Sequence, residues 1–217
     1  MDLAAAPLPG LTWIGCVTMP DEHFWPDDLA VLSDGGMVVT SLFDPEDPDF
    51  VTKLNTGQPH GALGEWHPGE GWTMLAEGEL SGPNGVILSP DESRVIVADY
   101  GGRNIARIDR DGGEIARAPL DFHVDNVSWT EDGSAILGVG AAGTVEEGFG
   151  CFGTDVANCK LPFKGVKVDP ETMETEELFP AMTLGEMGGG SGALQDGDHL
   201  WITSWRADRI ARIPFAD

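Results

Sequence analysis

Three features of the 217-residue sequence predict an all-β fold. Short apolar stretches rich in Val, Ile and Thr recur between turns rich in Asp and Gly. Glycine occurs 30 times and proline 15 times, spread along the chain, as a structure with many tight turns requires. No segment of convincing length carries the 3.6-residue apolar period of a helix.

Taken in order, the elements form a repeat. The first segment is "PDDLAVLSDGGMVVTSLFD" from Pro26, and the second is "PNGVILSPDESRVIVADYG" from Pro83. The third is "VDNVSWTEDGSAILGVGAA" from Val124, and the fourth is "GSGALQDGDHLWITSWRAD" from Gly190. Each has a small or polar start, a short apolar strand, an Asp/Gly turn and a second β-rich strand. Further strand material follows: "GALGEWHPGEGWTML", "NIARIDRDGGEIARAPL", "FKGVKVDPETMETEELF" and, last, the shorter "RIARIPF". The result is about four units of four strands, the last one strand short. "LTWIGCVTM", residues 11–19, is expected to supply that strand and so cover an open sheet edge. Radial repetition of four-stranded sheets is a β-propeller, here a single domain over residues 1–217. The starts are unevenly spaced, and the long intervals hold loops around residues 44–59 and 141–161, of the kind that serve as lids or binding loops.

Composition narrows the partners. Asp and Glu total 37 against 12 Lys and Arg, a formal charge of -25. Nucleic acid and anionic membrane surfaces are poor partners for such a chain, since phosphate binding needs clustered cations. No apolar run approaches the ~20 residues that span a bilayer. "MDLAAAPLPG" lacks the basic and apolar regions of a signal peptide, so a cytoplasmic location is the default expectation. Cys16 falls in an expected strand. Cys151 and Cys159 share one loop, where a disulfide is conceivable and two free thiols are the cytosolic default.

In a propeller the first strand of every blade lines the central channel, and the starts of these strands converge at one end. Asp27, Asn84, Asp125 and Asn126 occupy equivalent starts, and Asp28 adjoins Asp27. Carboxylate and amide oxygens without His or Cys suit a hard cation, Ca²⁺ before zinc or copper. "GPNG" before Val86 thus reads both as a turn and as a ligand-bearing start. His123 stands two positions before Asp125, on the same face of a regular strand, and is the expected general base, with Asp125 itself or Asp28 as substitutes. Trp25 and Trp205 are the tryptophans placed to face a pocket mouth. "GEMGGGSG", residues 185–192, lacks the Lys and helix of a phosphate loop and reads as a close-packed channel end.

These residues resemble a known group, the calcium-dependent propeller hydrolases of the paraoxonase/arylesterase and gluconolactonase–regucalcin type. "PNGVILSPDESRVIVADY" resembles their strand with a metal-binding Asn, and "HVDNVSWTEDGSAILGV" their Asp-Asn start one blade later. "DDLAVLSDGGMVVTS" resembles an earlier blade in which Asp27 stands where paraoxonases carry Asn, and the closing segment from Gly190 resembles the final blade. The match runs from about residue 11 onward in consistent order. The group is usually six-bladed, and the first blades, which give a metal-binding Glu and in paraoxonases a catalytic His, have no counterpart among the matched residues. The resemblance implies a Ca²⁺-dependent hydrolase of small lactones or esters, the ion polarising the carbonyl. The rival expectations are a non-catalytic calcium-binding propeller and an enzyme of the strictosidine-synthase type. A homo-oligomer through a blade edge is the expected assembly.

Overall fold

Turn chemistry sets the strand pairing. Asp91 accepts hydrogen bonds from the Ser89 and Ser93 hydroxyls and from the Ser93 N–H, and Asp132 binds Ser134 and Thr130 in the same way one blade later. These bonds hold both carboxyls at about 2 and close the first hairpins of the second and third repeats. The computed structural model describes residues 14–151 and 157–215.

The first sheet is β1 (Pro26–Val31), β2 (Met37–Ser41), β3 (Ala62–His67) and β4 (Gly71–Leu75). The second is β5 (Pro83–Leu88), β6 (Arg94–Asp99), β7 (Asn104–Asp109) and β8 (Ile115–Pro119). The third is β9 (His123–Trp129), β10 (Ile136–Ala141), β11 (Phe163–Val168) and β12 (Thr175–Met182). The fourth has three strands, β13 (Gly190–Asp196), β14 (His199–Ser204) and β15 (Ala211–Pro214). Every sheet is an antiparallel meander in chain order, so each is one blade. The two long loops hold the only helices among the described residues, α1 (Phe50–Thr56) and α2 (Val145–Phe149).

Alternation gives each blade two apolar faces, and the blades bury them on one another. Inner strand β1 lies against β5, β5 against β9 and β9 against β13. Val38, Leu63, Val86 and Val97 fill the space between the first two blades. Ile96, Ile105, Val124 and Ile136 fill the second space, and Val139, Phe163, Leu200 and Ile202 the third. β13 and β1 do not pack in this way, so the four blades form an open arc.

The strand expected from residues 11–19 is not found where it is described. Residues 11–13 lie outside the described residues, and 14–19 form no strand, with Cys16 exposed. The Thr18 carbonyl instead accepts the Trp72 indole N–H at 2.8 Å. Phe24 packs on the same ring at 5.6 Å. The stretch therefore lies beside the first blade and not along the edge of the fourth.

Ile136 is fully buried between the second and third blades. Ile136→Ala should lower unfolding free energy by about 2–5 kcal/mol in urea denaturation, and a loss below about 1 kcal/mol would mean the interblade space is not close-packed.

Candidate functional site

One irregularity repeats in all four inner strands. Each slips by one residue against its neighbour near its start: between Pro26 and Leu29 in β1, Pro83 and Val86 in β5, Val124 and Asn126 in β9, and Gly190 and Gly192 in β13. Such a bulge leaves a residue outside the ladder and re-aims side chains. The displaced residues are Asp27 and Asp28, Asn84 and Gly85, Asp125, and Ser191. Two glycines let the bulges close up. A Cβ on Gly85 would fall 2.6 Å from Asn126 Cα, and one on Gly140 would fall 2.0 Å from the His123 carbonyl oxygen.

The bulges open onto one pocket of about 500 Å³. Asp27, Asp28, Asn84, Asp125, Asn126 and Ser191 supply its polar lining, and Leu42, Phe43, Tyr100, Phe149, Leu161 and Trp205 its apolar wall. All five residues expected as metal ligands thus meet in one cavity. Ser191 is the fourth-blade equivalent that sequence reasoning missed, since a serine between glycines gives no ligand signal.

Hydrogen bonds hold the floor. The Asp28 carboxylate accepts the Val86 N–H at 2.9 Å, and Thr40 Oγ1 donates to the Asn84 carbonyl at 2.6 Å, which ties β1 and β2 to β5. Asn126 Nδ2 donates to Asp125 Oδ1 at 2.6 Å. Asn84 is 7% exposed and lines the pocket.

The charges are uncompensated. Among the described residues no Lys, Arg or His lines the pocket. Burial, then the charges of Asp27 and Asp28, push the Asp125 carboxyl well above its ordinary value. Desolvation and the charge of Asp28 raise Asp27 in the same sense. Burial and Asp125 also push the Tyr100 phenol up.

These oxygens suit a hard cation. Among the described residues no group of three or more His, Cys, Asp or Glu is arranged to hold a metal by itself, so an ion here needs the Asn84 and Asn126 amides beside the carboxylates. The Asn84 and Asn126 amides on the lining and the mutually repelling carboxylates fit that requirement.

His123 is not part of this lining. It is 1% exposed, its Nδ1–H donates to the Tyr100 carbonyl at 2.9 Å, and its ring stacks behind Tyr100 at 4.9 Å. Burial holds its pKa below the ordinary value. The bulge at Asp125 breaks the alternation that would have put both side chains on one face, so His123 does not serve as the base. Trp205 reaches the pocket as expected. Trp25 does not, and is 58% exposed on the outward side of the first blade.

Phe43, Phe149 and Leu161 of the wall come from the long loops, and Tyr100 and Trp205 from the turns after β6 and β14. Thr144 caps α2 in a capping box with Glu147, while the Asn55 side chain binds Glu146 and the Val145 N–H, joining α1 to α2. Phe43 stacks on Phe50 at 4.5 Å, and Phe149 meets Phe50 edge-on at 5.1 Å. Cys151 and Cys159 form a disulfide with a Cα–Cα distance of 5.7 Å, which corrects the free-thiol default and anchors the chain just after Phe149.

Comparisons with known proteins fit the architecture. No protein-family model matches the chain, and no curated protein matches its sequence. Among solved structures, virginiamycin B lyase from Staphylococcus aureus, with quinupristin bound, gives a TM-score of 0.56 at 17% identity, covering 90% of this chain and 54% of that one. A gluconolactonase from Xanthomonas campestris gives 0.53 at 20% identity, covering 88% and 57%. A chain described as a candidate gluconolactonase gives 0.57 at 10% identity, covering 91% and 61%. The protein shares the β-propeller architecture of gluconolactonase-like and lyase structures, and it spans little more than half the length of these chains. No helix among the described residues is long and apolar enough to cross a membrane.

Asp125 sets a pH dependence. Its folded pKa is raised above the unfolded one, so its contribution to stability is complete in acid and is lost as pH rises through the folded value. Asp125→Asn should therefore raise the melting temperature by a few degrees at neutral pH in a chelator, and flatten the rise in stability seen on acidification. A lower melting temperature than the parent under those conditions would contradict the repulsion described here.

Proposed function

We propose that the protein hydrolyses small uncharged lactones or esters, with one divalent cation, Ca²⁺ by its ligand chemistry, held at the starts of the inner strands. The observation that carries this reading is the convergence of Asp27, Asp28 and Asp125 with the Asn84 and Asn126 amides on one pocket that has an aromatic wall. Asp27, Asn84, Asp125 and Asn126 would hold the ion, with Asp28 already engaged by the Val86 N–H. A bound cation would polarise the substrate carbonyl.

The chain's own residues account for the rest. Phe43, Phe149 and Trp205 take up the apolar part of the substrate and shed its water. With no basic side chain on the lining, an anionic substrate meets only repulsion. With His123 outside the lining, the substitutes Asp28 and Asp125 are the carboxylates on the pocket that could take a proton from water. The architecture shared with gluconolactonase structures supports a lactone or ester substrate, and aryl esters fit the aromatic wall. The disulfide favours an oxidising compartment over the cytosol.

One observation favours a second reading. The buried position of His123 leaves the pocket without an imidazole, which suits a calcium-binding propeller without turnover.

Aryl acetates, δ-lactones and acyl homoserine lactones, assayed with calcium and with a chelator, separate the readings. Chelator-sensitive hydrolysis is the expected result. Calcium-dependent melting without hydrolysis would favour the second reading, and metal-independent conversion of a non-ester substrate would point to the strictosidine-synthase type. In isothermal titration, Asn84→Ala and Asp125→Ala should each weaken calcium binding at least about tenfold, roughly 1.4 kcal/mol. Unchanged affinity in both variants would dismiss the assigned ligand set.

A further inference from the structure

Tyr100 is the only tyrosine of the chain. It follows β6, lines the pocket and is 8% exposed. Its backbone and its ring are both held. The Tyr100 N–H donates to the Gly82 carbonyl at 3.0 Å, and its carbonyl accepts His123 Nδ1–H at 2.9 Å. The His123 ring lies behind the phenol ring at 4.9 Å, with 29° between their planes. Asp99 closes the turn, accepting the Ser81 N–H at 2.6 Å and Asn104 Nδ2 at 2.7 Å. A side chain packed in this way has little freedom to lose when a ligand arrives.

The phenol oxygen lies where the wall meets the floor. A Cβ on Gly148, a lining residue of α2, would stand 3.8 Å from it. The charge of Asp125 acts on the same phenol. The floor beside it is rich in acceptors, since Asp27, Asp28 and Asp125 present carboxylates and Asn126 Nδ2 is turned to Asp125. A phenol O–H differs from these in being a neutral donor.

We infer that Tyr100 is a specificity-determining residue, whose phenol donates a hydrogen bond to a second acceptor oxygen of the substrate. That oxygen is carried on the acyl group close to the reacting carbonyl, because the phenol and Asp125, a residue assigned to the ion that meets the carbonyl, act on one another. The inference rests on the hydrolytic reading and adds the substrate class: neutral esters and lactones whose acyl part bears an ether or hydroxyl oxygen, over those with a plain alkyl chain. A site built to hydrogen-bond a substrate oxygen rejects the analogue lacking it, since the buried donor is then left unpaired.

The esters p-nitrophenyl methoxyacetate and p-nitrophenyl butyrate test this, because one ether oxygen replaces one methylene at nearly equal size. Tyr100→Phe keeps the ring behind which His123 packs and removes only the O–H. The preference for methoxyacetate over butyrate in kcat/KM, divided by the same preference in Tyr100→Phe, should be about tenfold. The differing intrinsic reactivity of the two esters cancels in that quotient. A quotient near one, with both proteins active, would overturn the inference and leave the hydrolytic reading standing.

If the full chain turns over no ester, the hydrolytic reading fails and binding decides the donor. A chain labelled with 3-fluorotyrosine carries fluorine at residue 100 alone. Methoxyacetamide should then shift the fluorine resonance where butyramide does not, and an equal or absent response to the two amides would overturn the inference.

Discussion

A sheet that is apolar on both faces cannot stand alone in water, and that constraint governs this protein. The second and third blades are covered on two sides, and the first and fourth on one. Stacking blade on blade meets the need, and it brings the four inner strands side by side with their starts at a common end. The interblade cores around Val86, Ile136 and Phe163 therefore do more than stabilise the fold. They determine that residues from Asp27 to Ser191, far apart in the chain, share one cavity.

The site is assembled against local stability. Every inner strand gives up a regular rung where its site residue lies, and the carboxylates so gathered repel one another without a basic neighbour. Rigid neighbours hold this arrangement: Asp28 and Thr40 pin β1 and β2 to β5, and the glycines at 85 and 140 remove the side chains that would keep the bulges apart. A concentration of uncompensated charge, maintained by packing around it, is the usual mark of a place where an ion or a reacting group is received.

The pocket is asymmetric in chemistry because its two sides have different origins. The polar floor belongs to the repeat, with residues from every blade. Phe43, Phe149 and Leu161 of the wall belong to the two long loops, brought together by the Asn55 contact with α2 and anchored by the Cys151–Cys159 bridge, while Tyr100 and Trp205 come from turns after β6 and β14.

Four repeats, their strand order and the polar residues at the strand starts were legible in the sequence, because alternation and Asp/Gly turns are local properties. So was the convergence of Asp27, Asn84, Asp125 and Asn126, which follows from the repeat once the blades stand side by side. The loop-borne wall of Phe43, Phe149 and Leu161 was not legible, because apolar loop residues follow no period that reveals where they point. The side of the strand on which His123 falls was decided by tertiary structure, since one extra residue opposite Gly140 inverts a face that alternation alone assigns. The same holds for residues 14–19, whose β-like composition admits any open edge. Their place beside Trp72 is fixed by the indole N–H that the Thr18 carbonyl accepts, a partner only the assembled first blade presents.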